Sequence, residues 1–492
     1  MNNNPRILEL NTRVWIKQFG EHSKISQIPD SQVDQWVKSG FNFIWLMGIW
    51  KTNKNLVEKY CFEPELVVAY NNALKDWQNK DVIGSPYSID MYEIDPDLGN
   101  REELLNFKNR LNKKGIKLIL DFVSNHLSAE TSLIKSNKDI FLPGDEHLFR
   151  NDPYTFYSLP GSENEFFAHG RDPLFPPWKD TIQINFYSKE GRKFLINTLL
   201  DLTTICDGVR CDMAMLPLNN VFYNTWIGVI KKYGFERPQE EFWEEAISEV
   251  KSRRNDFIFL AETYWDLEWT LQNLGFDFTY DKKLTDRLVA GDVSSIRNHL
   301  NAEYNYQKKS IRFLENHDED RAILKFGKER SLAAAVIIST IQGLVFYFDG
   351  QCEGKKTKLP VQLGREPHEK VEERISNFYK KLLDITKKDI FRKGKWQILE
   401  PINVGNNDYS FENILAWQWT LGSQLIIVAV NYNSSTSRCR LKFDLKSSNE
   451  SIQLNDMLND VTYSRSLQEI SEKGLFVELK AYNSHIFLLN NE

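Results

Sequence analysis

Four short polar clusters contain the residues best suited to chemistry, and each follows a predicted strand. The clusters are Asp121-Phe-Val-Ser-Asn-His126, Gly208-Val-Arg-Cys-Asp212, Ala261-Glu262-Thr-Tyr-Trp265 and Glu315-Asn-His-Asp318. A single carboxylate after a strand is most simply a helix cap or a turn residue. Three carboxylates that converge, Asp212, Glu262 and Asp318, could instead catalyse a reaction together. Hydrolysis of a glycosidic bond with retention of configuration needs two carboxyl groups about 5–5.5 Å apart.

The second cluster also contains a cation. Arg210 precedes Asp212 by two residues, so both side chains point to the same side of a strand. A positive charge there favours the ionised form of Asp212. Such a charge would keep Asp212 ionised as a nucleophile, while the second carboxyl group of a retaining pair protonates the leaving oxygen and then activates water. We expect Glu262 to be protonated in the resting protein, because Asp212 and Asp318 raise its pKa.

The elements that must position these clusters alternate along most of the chain. Short apolar runs predict eight strands: Arg13–Ile16, Phe43–Met47, Lys117–Phe122, Gly208–Cys211, Phe257–Ala261, Phe276–Thr279, Ile311–Leu314 and Leu344–Phe348. Helical patterns lie between them, at Gln32–Lys38, Glu102–Lys113, Lys189–Thr203, Glu240–Arg253 and Glu329–Thr340. Strands that alternate with helices indicate a parallel sheet. Eight of them in one long stretch predict an α/β fold and fit a closed (β/α)8 barrel better than a doubly wound sheet, although periodicity alone does not decide between the two. In such a barrel, catalytic residues gather at the carboxyl ends of the strands.

Two parts of the chain depart from this alternation. After the third strand, a segment rich in Pro, Gly and aromatic residues has no clean strand–helix pair, which is typical of a functional insertion. After about Arg392 the pattern changes to strands joined by hairpin turns. We therefore predict a first barrel part at 1–125, an inserted domain at 126–186, a second barrel part at 187–391 and a C-terminal all-β sandwich at 392–492.

Composition and charge exclude several classes of partner. The formal net charge of −6 argues against a nucleic-acid partner. No apolar run is long enough to span a membrane, and the start of the chain does not have the pattern of a signal peptide. None of the five cysteines lies in a Cys-x-x-Cys pair; they are Cys61, Cys206, Cys211, Cys352 and Cys439. This usage is typical of reduced thiols, so we expect a cytoplasmic protein.

The four clusters, in this order, resemble the four signature regions of the α-amylase family, glycoside hydrolase family 13. The resemblance covers nearly the whole chain: the barrel, an insertion after the third strand and a C-terminal β-domain. It implies that Asp212 is the nucleophile, Glu262 the general acid/base and Asp318 the third carboxylate, which holds sugar hydroxyls. It also implies a substrate-binding set, in which Tyr87 stacks on the sugar beside Asp121, His126, Arg210, His317 and Arg321.

One departure from the family pattern bears on cofactors. Many α-amylases place Lys and His three and four residues after the nucleophile, where this chain has Met215 and Leu216. In the family that His often supports a calcium ion. Asn125 matches a calcium-ligand position, but calcium takes six to eight oxygens. We therefore predict no resident cofactor or metal, with calcium as the alternative.

A second departure bears on the mode of attack. Exo-acting α-glucosidases of the family commonly place an Asp directly after the stacking tyrosine, where it pairs with an Arg just past the third carboxylate. This chain has Arg321 but Ser88 in the Asp position, which argues against a strictly exo-acting enzyme.

These observations predict a retaining α-glycoside hydrolase that acts on α-linked glucans or maltooligosaccharides. Two alternatives stay open. A 4-α-glucanotransferase forms the same covalent intermediate and passes the glycosyl unit to a sugar instead of water. A non-catalytic carbohydrate-binding protein would be free to lose its carboxylates, yet Asp212, Glu262 and Asp318 are all present.

Overall fold

Eight parallel strands close into a barrel at the centre of the molecule. In the computed structural model, which describes residues 3–162, 164–405, 407–445 and 450–490, we number them β1 to β8 in chain order. They are Arg6–Asn11, Phe43–Met47, Lys117–Val123, Gly208–Asp212, Ile258–Ala261, Phe278–Tyr280, Ser310–Arg312 and Leu344–Phe348. Each strand pairs in parallel with its neighbours, and β1 closes the ring by pairing with both β2 and β8. The predicted (β/α)8 barrel is confirmed.

Apolar side chains fill the barrel interior and set how closely its strands approach. Successive side chains of a strand point alternately inward and outward, so every second residue of a barrel strand faces the interior. The buried cluster there includes Ile7, Phe43, Trp45, Leu260 and Phe346. A Cβ at Gly208 would lie 2.5 Å from the carbonyl oxygen of Ile258, so only glycine lets β4 begin this close to β5. In the resulting register Cys211 faces Ala261, which places the ends of the two strands side by side.

The predicted position of the first strand is wrong. Arg13–Ile16 is helical, with an α-helix at Thr12–Trp15 that continues into a 3-10 turn, and β1 lies upstream. The apolar run is too short for its pattern to distinguish a strand from one helical turn. In the fold the ring of Trp15 packs 5.6 Å from that of Trp36, so this turn lies against a barrel helix instead of in the sheet.

Helices connect the barrel strands and cover their outer face. Between the first and last barrel strands and just beyond, they are Thr12–Trp15, Asp30–Lys38, Arg101–Lys113, Lys189–Ile205, Asn219–Tyr233, Phe242–Arg253, Glu268–Asn273, Lys282–Ala290, Val293–Leu300, Tyr304–Lys308, Ala322–Phe326, Lys328–Thr340, Glu373–Thr386 and Asp389–Lys393. Each of the five predicted helices overlaps one of these. In the described parts of the chain, no helix combines the length and apolar character needed to cross a membrane.

Two excursions leave the barrel at the carboxyl ends of its strands. The predicted one, after β3, contains a two-stranded and a three-stranded sheet and the helix Glu146–Asn151; its strands are His126–Ser128, Pro143–Gly144, Phe156–Ser158, Phe166–Ala168 and Thr181–Gln183. The other follows β2 and is not predicted. It pairs Trp50–Thr52 with Ile89–Ile94 and includes the helices Val57–Tyr60 and Pro64–Ala73. Its helical pattern resembles that of a barrel helix, so periodicity alone does not reveal it.

Two antiparallel sheets follow the barrel and share a buried core. The strand order of the larger is Lys395–Leu399, Ile414–Leu421, Gln424–Asn431, Ser484–Asn490, Ser451–Asp456 and Val461–Ser466; that of the smaller is Pro401–Ile402, Ser437–Leu441 and Leu475–Leu479. Ile427, Cys439 and Val477 belong to the core. The predicted C-terminal β-domain is confirmed, except that the helix Leu467–Lys473 means it is not strictly all-β. The four domain limits stay predictions.

The larger sheet docks on one barrel helix, Lys328–Thr340. Every residue of that helix from Ser331 to Thr340 is buried. The fully buried Trp419 donates its indole N–H to the carbonyl oxygen of Thr340 at 2.7 Å. The helix is therefore enclosed by the barrel on one side and by the C-terminal sheet on the other.

Candidate active site

The predicted catalytic carboxylates meet at the carboxyl end of the barrel. Asp212 is the last residue of β4, and Glu262 comes directly after β5. Asp318 lies in the segment that follows β7. Because all eight strands run in the same direction, these positions belong to one face of the barrel.

Arg210 joins two of these carboxylates. Its Nη1 lies 2.6 Å from Asp212 Oδ1, and its Nη2 lies 2.7 Å from Glu262 Oε2. The arginine side chain is 1% exposed, and its guanidinium carbon lies 5.2 Å from the ring centre of Trp45. The pairing of Arg210 with Asp212 is the contact predicted from their spacing; the contact with Glu262 is not. One guanidinium therefore holds both carboxyl groups close together.

Two donors that the sequence does not reveal orient Glu262. The backbone N–H of Met213 donates to Oε2 at 2.7 Å, and the Tyr264 hydroxyl donates to Oε1 at 3.0 Å. Met213 has a φ of +43°, a conformation that is uncommon for a non-glycine residue and often marks functional sites. A backbone N–H donor is present in every residue except proline, so residue types do not indicate that Met213 would bond to Glu262. Tyr264 lies two residues after Glu262, and that spacing on an extended backbone was the available clue.

Burial changes the pKa of both members of the predicted pair. It raises the pKa of Glu262 to about 6; Arg210 opposes this rise, and Asp212 and Asp318 add to it. The pKa shift has the predicted direction, and the direct contact with Arg210, which the sequence did not reveal, limits its size. Burial also raises the pKa of Asp212 above its ordinary value, with Arg210 in opposition. The sequence predicts the effect of Arg210 on Asp212 but not the effect of burial.

Asp318 lies at the edge of the cluster beside a histidine. Its side chain is 53% exposed, and its Oδ2 lies 2.9 Å from His317 Nε2. The protein around the less exposed part of the carboxyl disfavours its ionisation, but the adjacent His317 outweighs this effect and lowers the pKa of Asp318 to about 2. Asp318 is thus a permanent negative charge at neutral pH.

Tyr87 and His317 form one unit. The Tyr87 hydroxyl lies 2.8 Å from His317 Nε2, and the two rings stack with centroids 5.3 Å apart. The guanidinium carbon of Arg210 lies 5.4 Å from the centre of the tyrosine ring. The structure therefore brings both predicted substrate-binding residues to the carboxylate cluster.

Asp121 lies behind the cluster instead of facing the cleft. Its two carboxyl oxygens accept from the Trp45 indole N–H at 3.1 Å and the Gly48 backbone N–H at 2.9 Å. The residue is 2% exposed, and burial raises its pKa to about 7, with Arg210 in opposition. These contacts make Asp121 a support for β2 and Arg210, whereas its predicted contact with substrate stays untested.

His126 joins the barrel to the insertion after β3. Its ring lies 5.1 Å from that of Trp178, at an interplanar angle of 48°. Burial lowers the pKa of His126 to about 4, so the ring is neutral at neutral pH and can both donate and accept. The structure thus places an aromatic residue of the insertion beside a predicted substrate-binding residue.

Arg321 is the predicted substrate-binding residue that the structure does not bring to the cluster. Its Nη1 donates to Glu315 Oε1 and to the carbonyl oxygen of Asp349, both at 2.7 Å. Its Nε donates to the carbonyl oxygen of Thr357 at 3.0 Å. These bonds fix the loops after β7 and β8 to one another.

The residues around Asn125 do not fit a calcium site. Its side-chain oxygen and its carbonyl oxygen both accept from Gln183 Nε2 at 2.9 Å. In the described ranges of the chain, no three His, Cys, Asp or Glu side chains come together in a way that would hold a metal ion. Calcium needs several free oxygens, which Asn125 and the residues bonded to it do not supply.

A comparison with protein families decides the assignment. The family model described as "Alpha amylase, catalytic domain" matches residues 38–400, which is more than half of the chain. The chain belongs to the α-amylase family. The resemblance inferred from the four clusters is thereby confirmed.

Proteins named as amylases show distant similarity to this chain. Alpha-amylase MalA of Haloarcula japonica is 26% identical over 55% of this chain and 36% of its own length. Alpha-amylase 3 of Dictyoglomus thermophilum is 23% identical over 70% of this chain and 73% of its own length. An intracellular maltogenic amylase of Bacillus subtilis is 21% identical over 72% and 57%, respectively. The chain thus spans about a third of the Haloarcula enzyme.

Solved structures show the same fold over nearly the full chain. A noncanonic maltogenic alpha-amylase, AmyB from Thermotoga neapolitana, superposes with a TM-score of 0.69, 19% identity and coverage of 99% of this chain and 98% of that one. An alpha-amylase from Geobacillus thermoleovorans, complexed with acarbose, gives a TM-score of 0.67 at 17% identity over the same shares. At these identities the likeness concerns the fold of this α-amylase family member.

Proposed function

We propose that this protein is a retaining α-glycoside hydrolase that acts on α-linked glucans or maltooligosaccharides. The observation that supports this most directly is the bridge from Arg210 to both Asp212 and Glu262. It holds two carboxyl groups close together, as the separation of about 5–5.5 Å in a retaining enzyme requires; an inverting enzyme leaves a wider gap for water.

In the first step, Asp212 attacks the anomeric carbon and Glu262 gives its proton to the leaving oxygen. The bond from the anomeric carbon to that oxygen breaks as a glycosyl ester of Asp212 forms. Arg210 favours the ionised form of Asp212 before attack, and Tyr264 and the Met213 N–H aim the Glu262 carboxyl. In the second step, Glu262 takes a proton from water, whose oxygen displaces Asp212.

The substrate class is supported by the relatives. The solved Geobacillus thermoleovorans alpha-amylase is complexed with acarbose, and a cyclic α-maltosyl-(1→6)-maltose hydrolase from Arthrobacter globiformis is complexed with maltose. Relatives of this chain carry the names alpha-amylase, maltogenic amylase and cyclomaltodextrinase. None of these names denotes a transferase, which favours water over a sugar as the acceptor.

One experiment tests the proposal. The protein is incubated with a ladder of maltooligosaccharides, and products and their anomers are followed by NMR. We expect shorter chains whose new reducing ends first appear as the α-anomer, and no such products with Asp212→Asn. Products longer than the substrate would instead support the glucanotransferase alternative. An initial β-anomer would exclude retention, and unchanged substrate in all reactions would contradict an activity on these sugars.

We also propose that the protein works in the cytoplasm. All five cysteines are free thiols, and four of them are buried. A relative in Bacillus subtilis is named an intracellular maltogenic amylase. Cell fractionation should recover the native protein with a cytoplasmic marker; recovery in the culture medium would contradict the proposal.

A further inference from the structure

A buried carboxylate outside the predicted set lies below the catalytic cluster. Glu9, on β1, is 0% exposed, and its Oε1 lies 2.5 Å from His317 Nδ1. Its other oxygen, Oε2, is buried with no hydrogen-bond partner in the described part of the chain. An ionised carboxylate in such a place is costly unless a cation compensates it.

The contacts of His317 define its protonation state. Nδ1 faces a carboxylate oxygen of Glu9, and Nε2 faces a carboxylate oxygen of Asp318 at 2.9 Å. A neutral imidazole has one donor nitrogen and one acceptor nitrogen, whereas the imidazolium donates from both. The neutral tautomer protonated at Nε2 would point the Nδ1 lone pair at Glu9. The tautomer protonated at Nδ1 would turn the Nε2 lone pair toward Asp318 and toward the Tyr87 hydroxyl, which lies 2.8 Å from Nε2. The arrangement therefore fits the imidazolium.

Two carboxylates act directly on the charge of His317. Burial disfavours its charged form, but Asp318 and Glu9 outweigh that effect and raise the pKa of His317 well above its ordinary value. Other ionisable groups face the ring or act on its neighbours Glu9 and Asp318, from the loop after β2, from β3, β4 and β6 and from the loop after β8; they are Tyr87, Asp121, Arg210, Asp212, Tyr280 and Lys358. Of the two carboxylates in direct contact, Asp318 is exposed to substrate, whereas Glu9 is enclosed by the barrel.

We propose that Glu9 is a positioning residue that keeps His317 doubly protonated, so that Nδ1–H is held by Glu9 and the single Nε2–H can only donate, to Asp318 or to a sugar hydroxyl bound beside it. Glu9 itself does not touch substrate. Its contact with Nδ1 fixes the plane of the ring that stacks on Tyr87. The sugar hydroxyl rests on the proposed function, whereas the protonation of His317 does not.

Glu9 connects the charge state of Asp318 to strand β1, through His317. A permanent positive charge on His317 keeps Asp318 ionised while substrate displaces solvent from its exposed side. Without the charge of Glu9, Asp318 would remain as the carboxylate in contact with His317 among the described residues, and in the proposed function Asp318 also binds the sugar. The ring would then lose its Nδ1 proton at lower pH and could accept at that nitrogen.

Nitrogen NMR of the whole protein tests the protonation directly and needs no substrate. The ring nitrogens of His317 are assigned by comparison with His317→Gln and are followed from pH 5 to 9. We expect imidazolium shifts throughout this range in the unaltered protein, and a titration to a neutral tautomer within it in Glu9→Gln. Asp456→Asn is the matched control, because Asp456 Oδ2 lies 2.5 Å from His485 Nδ1 in the C-terminal domain. It should leave the His317 signals unchanged.

A kinetic measurement connects that state to the reaction. An α-maltosyl fluoride substrate has a leaving group that needs little protonation, so the titration of Glu262 does not limit its cleavage. We expect a flat profile between pH 6.5 and 9 in the unaltered protein. In Glu9→Gln the rate should fall about tenfold for each pH unit above the His317 pKa, and Glu9→Asp should recover part of the loss.

The outcomes separate this proposal from the proposed function. A neutral His317 at pH 7 in the unaltered protein would overturn the role of Glu9. This measurement uses the unaltered protein alone, so it can be made even if Glu9→Gln does not fold. Equal His317 titrations in the unaltered protein and in Glu9→Gln would also overturn it. A protein that shows the expected NMR behaviour but cleaves neither the fluoride nor maltooligosaccharides would support the Glu9 contact and contradict the glycosidase activity.

Discussion

Arg210 contacts two carboxylates with different tasks, so replacing either carboxylate tests the assignment of both. Asp212→Asn removes the nucleophile and should lower turnover of maltooligosaccharides by orders of magnitude. Glu262→Gln removes the proton donor, which contributes about 10²- to 10⁴-fold in general acid catalysis. Both substitutes nearly conserve shape, so the melting temperature and sugar binding should change little. Steady-state kinetics and calorimetric titration with maltotriose measure these effects.

A substrate with an activated leaving group distinguishes the two roles. Formation of the covalent intermediate from a glycosyl fluoride should persist in Glu262→Gln and fail in Asp212→Asn, because only the natural leaving oxygen needs the proton of Glu262. Mass spectrometry of the trapped glycosyl protein reads this out. Near-normal activity of Asp212→Asn would refute the retaining mechanism proposed above.

The pH profile should show the titration of Glu262. Its pKa of about 6 belongs to the protein without substrate, and such groups shape kcat/KM. The acid acts in its protonated form, so kcat/KM should decline as pH rises through about 6, roughly tenfold per pH unit. The alkaline limb should disappear when the same protein cleaves a glycosyl fluoride. A limb that persists unchanged with that substrate would assign the titration to another group.

Removal of divalent metal should have no effect on this protein. The oxygens of Asn125 are occupied by Gln183, so the position that resembles a calcium ligand has little to offer a cation. We expect dialysis against EDTA to leave both the melting temperature and the activity unchanged, within the error of calorimetry and of a reducing-sugar assay. A loss that added calcium restores would favour the calcium alternative.

At the residue scale, the sequence reveals groups that act through their type and spacing. Asp212, Glu262 and Arg210 were predicted as site residues because of their chemistry and because they lie at the carboxyl ends of predicted strands, which share one face of a barrel. Glu9 was missed, since a lone carboxylate on a strand has no partner until the barrel closes and brings β1 to the segment after β7. Arg321 was predicted to bind substrate. Its hydrogen bonds to Glu315 and Asp349 form only when the loops after β7 and β8 come together, and the sequence does not show this.

At the element scale, one indole anchors the C-terminal sheet to the barrel. Trp419 is fully buried and bonds to the Thr340 carbonyl at the end of a barrel helix. Replacing a buried tryptophan with alanine usually costs about 3–5 kcal/mol of stability. Trp419→Phe keeps most of the volume but leaves the Thr340 carbonyl without its donor, at a cost of about 1–3 kcal/mol. Chemical unfolding curves should rank the variants in this order.

A surface tryptophan gives the control for this ranking. Trp269 is 45% exposed on the helix Glu268–Asn273, so Trp269→Ala should change stability by only about 0.5 kcal/mol or less. If Trp419→Ala and Trp269→Ala unfold at the same denaturant concentration, the anchoring role of Trp419 is wrong.

Prediction of elements succeeded where patterns were long and failed where they were short. Helices such as Lys328–Thr340 and strands such as β2 were found within a few residues, because their apolar runs have clear limits. The four-residue run Arg13–Ile16 was misassigned, since one helical turn and a short strand look alike in sequence. What decides between them is a long-range contact, the packing of Trp15 on Trp36.

At the scale of the whole molecule, barrel and C-terminal sheet share one core. Val336 and Ile337 of the barrel helix belong to the same buried cluster as Trp417, Ile426 and Val428 of the larger sheet. A barrel helix normally presents a polar face to solvent, whereas this one is apolar on both sides. The change of pattern after Arg392 predicted a separate β-domain, but the sequence alone does not show that its inner face completes the barrel core.

The last prediction follows from this shared core and concerns a chain that ends at residue 391. Without the C-terminal sheet, the helix Lys328–Thr340 would expose an apolar face, which in a monomer promotes association. We expect the shortened protein to aggregate or to unfold at lower temperature than the full chain, and to lose activity although Asp212, Glu262 and Asp318 are all retained. Scanning calorimetry, light scattering and hydrolysis of maltotriose measure the three effects. Co-expression of residues 392–492 as a separate chain is the control, because it restores the missing face without a covalent link and should recover soluble, active protein. A shortened protein that stays monomeric with unchanged melting temperature and activity would show that the sheet is dispensable for the barrel.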